Sequence, residues 1–218
     1  MSAFESILVT LAALVPIVNP LGTAPIFLAM SADLPSHARR RLAFVVARNA
    51  FFLLAAAMLV GSWVLAFFGI SLSVVRVAGG LVLLGAGWRL LHAGDEPDSP
   101  PTAVTDAWER AVARRAFYPL TFPLTVGPGS LSIAITLGTR VSARPSVIID
   151  IGTELIGVAV VAIVVYFSYR FASRLIAALG ETGTTVFLRL SAFIILCVGV
   201  AILWSGIVGL VEPLLGRA

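Results

Sequence analysis

The chain has few charged residues and no lysine. Charged residues make up 12% of its 218 residues and hydrophobic residues make up 59%. A soluble domain usually carries about 25% charged residues, because water must wet its surface. All 15 basic residues are arginine, and the net charge is +4. Most of the arginines stand in short connections between apolar runs, which is typical of charge that sets membrane topology. We therefore exclude a soluble domain and expect no nucleic-acid partner.

Cysteine and histidine are almost absent as well. The single Cys197 cannot form an intramolecular disulfide, and its position in the last apolar run predicts a small buried thiol. His37 and His92 stand at the ends of apolar runs, without a second ligand at metal-binding spacing. We therefore expect no metal ion and no other cofactor. Since no nucleophile stands beside a base, we also expect no enzymatic activity.

Long apolar runs take up almost all of the chain. A membrane-spanning helix needs about 20 apolar residues. Six runs reach this length, over about 4–31, 42–68, 72–91, 116–137, 146–169 and 184–211. The first run contains Glu5 and has no basic segment before it, so we expect a retained span rather than a cleaved signal peptide. The sequence predicts an all-α polytopic membrane protein with six transmembrane helices.

The distribution of arginine predicts the orientation. Nine arginines lie in or beside the first, third and fifth connections, and three lie on the opposite side. Cytoplasmic loops carry an excess of positive charge. We therefore expect a multi-pass protein of the cytoplasmic (inner) membrane with both termini outside. The acidic, proline-rich stretch over 94–113 is expected to form a polar cytoplasmic loop.

The two halves of the chain share a motif. PLGTAP begins at Pro20 and PLTVGP begins at Pro123, and Arg76 and Arg189 each stand early in the third span of their half. Three spans per half give the halves opposite topology. This pattern predicts a 3+3 inverted repeat with discontinuous first and fourth helices, an arrangement found in transporters. The repeats would cover 1–93 and 114–218.

The two breaks are the candidate binding site. Proline removes a backbone donor and glycine tolerates unusual backbone angles. Half-helices starting near Gly22–Thr23 and Gly127–Ser130 would aim free N–H groups at the membrane midplane, where a substrate carboxylate could bind. Simple proline kinks are the alternative. The candidate substrate-binding residues are Asn19, Pro20, Gly22, Thr23, Thr125, Gly127, Pro128, Gly129 and Ser130.

Charges within the spans are further candidates, because such groups usually face water or a bundle interior. Arg76, Asp150, Glu154 and Arg189 are the candidates for an ion pair or a coupling role. Arg76 lies at the same predicted depth as Asp150 and Glu154, and these two acids share one helix face. Both acids are candidates for proton titration. Arg48 and Arg189 are expected to anchor at the interface or to cap carbonyls at the end of the first span.

Four segments resemble the MarC family of integral membrane proteins: IVNPLGTAPIFLAM, FPLTVGPGSLSIAI, VVRVAGGLVLL and ETGTTVFLRLSAF. The resemblance covers essentially the whole chain. Family members related to SnatA transport small neutral amino acids such as glycine and alanine. The resemblance implies an inverted three-plus-three fold around the substrate and the same nine binding residues. The chain departs from the family near Ala192, where a smaller residue such as glycine is expected.

Two functions from different classes follow. The first is a secondary transporter, an exporter or an exchanger, of small neutral amino acids, coupled to protons. The second is a non-transporting membrane scaffold or stress-response protein. In either case the lipid bilayer is a partner. The sequence leaves open whether the protein forms a homo-oligomer.

Overall fold

A computed structural model describes residues 3–92, 112, 114–142 and 147–215. These are helical apart from short connections and two extended residues within 116–125, Tyr118 and Phe122. The helices are α1 (Ala3–Val18), α2 (Pro20–Ala29), α3 (Ser36–Phe67), α4 (Leu72–His92), α5 (Ala116–Thr125), α6 (Pro128–Ser142), α7 (Val147–Arg170) and α8 (Ala172–Leu215). The all-α prediction is therefore confirmed. The predicted polar loop, except residue 112, lies outside the described residues.

The number of spans is confirmed only in part. Four helical segments are long and apolar enough to cross a membrane: Ala3–Leu28, Ser36–Phe67, Asp150–Arg170 and Thr182–Glu212. The bent pair α5–α6 makes a fifth if both arms count as one span. The apolar part of α4, Leu72–Trp88, is shorter. The described residues thus give up to five candidate spans, where the sequence predicts six.

One glycine divides α8. Gly180 has φ 66° and ψ −178°, a conformation that only glycine adopts without strain. The short arm before it follows directly on α7, and the long apolar arm after it contains the candidate span. Helix α8 therefore consists of two helical arms joined at a kink.

Glycines bring α4 and α8 into close contact. A Cβ atom added at Gly80 would lie 2.6 Å from the Leu203 amide nitrogen, and one at Gly206 would lie 2.7 Å from the Val77 amide nitrogen. Helices in membranes associate through such small residues, because lipid supplies no hydrophobic driving force between them. These glycines therefore determine how closely α4 packs against α8.

Cys197 corrects one expectation. It is exposed on α8 rather than buried. Its exposure is explained by the surrounding lipid, because within a bilayer an apolar side chain is accommodated equally well by lipid and by protein. Membership of an apolar run therefore does not imply burial inside the molecule.

Candidate functional site

Asn19 forms the first break, between α1 and α2. Its backbone is left-handed, with φ 43° and ψ 57°, and its side-chain Oδ1 accepts the Gly22 N–H at 3.2 Å. The Thr23 N–H donates to the Asn19 carbonyl at 3.0 Å. Asparagine is a favoured N-cap and proline is favoured in the first turn that follows, which explains why α2 restarts here. The expectation of free amides at Gly22 and Thr23 is wrong, because the cap already uses both.

One polar atom of this cap has no partner. The Asn19 Nδ2 is buried and makes no hydrogen bond among the described residues. A Cβ atom at Gly22 would lie against this amide group and 2.7 Å from Ser191 on α8. The site therefore contains an unused donor in a confined space between α2 and α8.

The second break, between α5 and α6, is sharper. The two helices meet at an angle of 72°. Val126 is extended, with φ −116° and ψ 91°, and its N–H donates to the Thr121 carbonyl at 2.8 Å. The first-turn amides of α6, those of Gly129 and Ser130, have no carbonyl one turn earlier in their own helix. The last carbonyls of α5 likewise have no amide one turn later.

The first proline of the shared motif follows a non-helical residue in both halves. Asn19, before Pro20 of PLGTAP, is left-handed, and Phe122, before Pro123 of PLTVGP, is extended, with φ −120° and ψ 128°. The second half has a further break at Val126–Gly127, after which α6 begins at Pro128. The motif therefore marks a break at the same position in both halves.

A cavity of about 390 Å³ lies between the two breaks. Most of its walls are apolar, and its polar lining comes from the predicted site. Five predicted residues line it, whereas Asn19, Pro20, Gly22 and Gly129 are absent from its lining. The lining residues are Ile17, Val18, Thr23, Ile26, Met30, Val82, Leu83, Ala86, Pro119, Pro123, Leu124, Thr125, Gly127, Pro128, Ser130 and Ile195.

Tyr169 joins the two breaks and was not predicted. Its hydroxyl lies 2.9 Å from the Thr23 Oγ1 and 2.8 Å from the Thr125 Oγ1. Its ring stacks on Phe27, with centroids 4.5 Å apart. An aromatic residue at the end of a span is more often an interfacial anchor, so the sequence carries no signal for this role. Tyr169 is buried and fixes two threonines at the cavity wall.

The predicted charged residues lie in different places. Arg76 donates to the Thr136 Oγ1 at 3.0 Å and lines a second cavity of about 480 Å³. Glu154 is buried and accepts a hydrogen bond from Thr10 of α1. Asp150 is half-buried and Arg189 is exposed. The ion pair between Arg76 and either acid stays a prediction.

Arginines also hold the end of α2, but they are not the expected ones. Arg115 donates to the Met30 carbonyl at 3.2 Å and to the Asp33 carboxylate at 2.6 Å. Arg39 donates to the Ser31 and Leu34 carbonyls at 3.3 and 3.1 Å. The hydrogen bond from Arg115 holds the pKa of Asp33 below its ordinary value.

Arg48, expected to anchor at the interface or to cap these carbonyls, lines an apolar groove between α3 and α7 and is exposed. Arg39 and Arg115 bond the carbonyls after α2 in its place. Interfacial anchoring by Arg48 stays a prediction.

The chain is similar to curated proteins over almost its whole length. The inner membrane protein MarC of Salmonella typhimurium is 29% identical, with 97% of this chain and 98% of the relative covered. The protein of the same name from Citrobacter koseri is 29% identical over the same shares. The one from Escherichia coli O1:K1 / APEC is 29% identical over 96% of this chain and 97% of the relative. No solved structure matches the chain significantly.

The family model described as "MarC family integral membrane protein" matches residues 4–211. This range includes both breaks, the cavity between them and Tyr169. The chain belongs to the MarC family of integral membrane proteins.

Proposed function

We propose that this protein is a secondary transporter of small neutral amino acids, such as glycine and alanine, in the cytoplasmic (inner) membrane. The inner membrane is taken from the names of its relatives. The proposal includes proton coupling, export or exchange, and six spans arranged as a 3+3 inverted repeat with both termini outside.

The packing pattern supports the inverted repeat. Helix α3 packs against α5 and α6, while α7 packs against α1 and α2. Helix α4 packs against α6, while α8 packs against α2. The remaining large contacts join α3 to α7 and α4 to α8. If α1 is exchanged with α5, α2 with α6, α3 with α7 and α4 with α8, the same pairs of helices are in contact. A pseudo-twofold axis between the two halves requires this.

The observation that carries the proposal is the cavity between the two breaks. Gly127, Pro128 and Ser130, at the start of α6, line the cavity. A helix N-terminus is partially positive and therefore suits the carboxylate of a zwitterion. The ammonium is placed beside the backbone carbonyls of Pro123–Thr125, residues that also line the cavity.

The lining of the cavity favours a neutral and small substrate. No charged side chain is among its lining residues. A substrate with net charge would therefore be desolvated without a counter-charge, which is costly. The apolar walls accommodate a hydrogen or a methyl side chain, and the threonine hydroxyls supply orientation.

Uptake of labelled glycine or alanine into proteoliposomes tests the proposal. We expect uptake by the native protein and a loss of at least about fivefold for Thr125→Val, because one hydrogen bond contributes about 1 kcal/mol. Thr139→Val is the matched control, since Thr139 is exposed and bonds only within α6. A folded protein that moves neither amino acid would favour the non-transporting scaffold.

A further inference from the structure

Four arginines line one small pocket at the end of the molecule where α3 begins and α7 meets α8. The pocket has a volume of about 160 Å³. Two serines and two aromatic residues complete it, and no acidic residue is among its lining. The lining residues are Ser36, Arg39, Arg40, Tyr169, Arg170, Phe171, Ser173 and Arg174. So many like charges in one pocket strongly favour a bound anion.

The surroundings hold several of these guanidinium groups in place. Arg170 donates to the Tyr166 hydroxyl at 2.6 Å. Arg174 lies over the Phe171 ring at 5.3 Å from its centroid. Arg39 is fixed by the two carbonyls at the end of α2. Asp33, which lies outside the pocket lining, forms its ion pair with Arg115 and acts on Arg39 only through a weaker electrostatic attraction. The positive charge of the pocket is therefore preorganised and not neutralised from within its lining.

An apolar groove begins where this pocket ends. The groove lies between α3 and α7 and has a volume of about 560 Å³. Phe44 follows Arg40 by one helical turn, and Tyr166 precedes Arg170 by one turn, so pocket and groove share the same faces of both helices. Its lining is Phe44, Ala47, Arg48, Phe51, Phe52, Ala159, Ala162, Ile163 and Tyr166.

The groove opens to the outside of the helix bundle. Phe44, Phe52 and Ile163 are exposed, at 56%, 61% and 52%. Arg48 is the one charged residue in the lining. Helical side chains lean toward the helix N-terminus, so that of Arg48 leans toward the arginine pocket rather than into the depth of the groove.

We propose that the pocket and groove together bind one anionic phospholipid. The phosphate lies among Arg39, Arg40, Arg170 and Arg174, and an acyl chain lies in the groove. Basic pockets between helices at the membrane surface bind anionic headgroups, and a long apolar groove continuing from such a pocket suits the attached chain. A zwitterionic phospholipid fits the groove equally well and carries the same phosphate, but its cationic headgroup offsets that charge and is repelled by the arginines. The pocket adjoins the cavity proposed for transport at Tyr169, which lines the pocket and bonds Thr23 and Thr125 of the cavity wall.

Native mass spectrometry of the purified full-length protein, titrated with dioleoylphosphatidylglycerol, tests this site. We expect binding at least about tenfold tighter than that of dioleoylphosphatidylcholine, which has identical chains. Each arginine at a membrane surface contributes about a fivefold factor. The double substitution Arg40→Gln with Arg170→Gln should therefore weaken phosphatidylglycerol binding about twenty-fold, with little change for phosphatidylcholine.

Three further variants separate the two parts of the site. Arg114→Gln removes the same charge at an exposed position outside the pocket and should leave binding unchanged. Ala162→Phe fills the groove and should weaken binding of the whole lipid, but not that of glycerol phosphate. Arg174→Gln alone should weaken phosphatidylglycerol binding about fivefold. This single variant keeps the test informative if the double variant misfolds.

Equal affinity for the two lipids would overturn the proposal, and so would indifference to all of the pocket arginines. Competition by glycerol phosphate at the same concentration as the lipid would overturn the lipid assignment, because it would indicate a site for a free anion.

Discussion

The Arg115 guanidinium lies 2.6 Å from the Asp33 carboxylate and thereby ties the start of α5 to the segment after α2. The same guanidinium donates to the carbonyl of Met30, which lines the central cavity. The pair thus joins the two halves of the chain beside a residue that lines the cavity. Partly exposed ion pairs contribute about 0–1 kcal/mol, so breaking this one should not unfold the protein.

Breaking this pair should ease access to the cavity at Met30. In a Cys197→Ser background, Asp33→Asn should raise the rate of thiol labelling of Met30→Cys by up to about fivefold, the equivalent of 1 kcal/mol. Arg114→Gln, beside Arg115 but outside the pair, should leave the rate unchanged. An unchanged rate for Asp33→Asn would show that the pair does not restrict access.

The pH dependence of this pair has a defined sign. Because the pKa of Asp33 is lowered in the folded protein from its ordinary value, its stabilising contribution is present above that ordinary value. The contribution is lost as the pH falls through the lower, folded pKa. Labelling of Met30→Cys should therefore be constant from pH 5 to pH 8, apart from the titration of the reagent itself. Labelling that rises already between pH 6 and pH 5 would contradict the lowered pKa.

Tyr169→Phe should affect both stability and binding. The change removes the hydroxyl that contacts Thr23 and Thr125. Both threonines keep carbonyl acceptors, those of Asn19 and Leu120, so we expect a loss of about 1–2 kcal/mol in the free energy of unfolding. Thermal unfolding in detergent measures it, and calorimetry should show severalfold weaker amino-acid binding.

Tyr118→Phe is the matched control for that change, because Tyr118 is 67% exposed. Equal stability of the two variants would show that the contacts of the Tyr169 hydroxyl contribute nothing to folding.

The helical class and both breaks could be predicted from the sequence, and the reason is local. Long apolar runs force hydrogen-bonded helices in lipid, and Asn19-Pro20 and Gly127-Pro128 interrupt helices through their own backbone chemistry. Neither inference needs information about distant residues. Pro119 and Pro123 act in the same local way, since Tyr118 and Phe122 before them are extended.

The contacts that complete the site could not be predicted in this way. Tyr169 meets Thr23 and Thr125 across separations of 146 and 44 residues, and Arg115 meets Asp33 across 82. Hydrophobic periodicity shows which segments are helices, but in a bilayer both the interior and the lipid-facing surface are apolar. The pattern therefore does not show which faces of the helices meet.

Glu154→Gln should uncouple transport from protons. Glu154 is buried on α7 and accepts a hydrogen bond from Thr10, and glutamine keeps the shape but cannot titrate. We expect exchange of labelled amino acid across proteoliposomes to continue, while accumulation driven by a pH gradient is lost. Asp150→Asn, one turn earlier and half-buried, is the comparison. Gradient-driven accumulation by the Gln variant would exclude Glu154 as the coupling group.

The orientation is testable with reporter fusions. A reporter active only outside the cytoplasm should be active when fused after Ala218 and inactive when fused near Pro100, because nine arginines against three favour that arrangement. The reverse pattern would show that the termini lie inside. The cavity and the arginine pocket would then exchange sides without changing their chemistry.

The central claim about the cavity concerns the substrate carboxylate. If the first-turn amides of α6 bind it, glycinamide should bind at least tenfold more weakly than glycine, because charge-assisted hydrogen bonds contribute about 1.5–3 kcal/mol each. Gly127→Val should abolish binding without unfolding the protein. A Cβ atom there meets only the Pro123 carbonyl oxygen, at 3.2 Å, so the added bulk extends into the cavity. Gly85→Val is the control, since a Cβ atom at Gly85 has no neighbour within 4 Å. Calorimetry on the purified variants measures all three effects. If glycine and glycinamide bind with equal affinity, the α6 N-terminus does not bind a carboxylate, and the break is a proline kink.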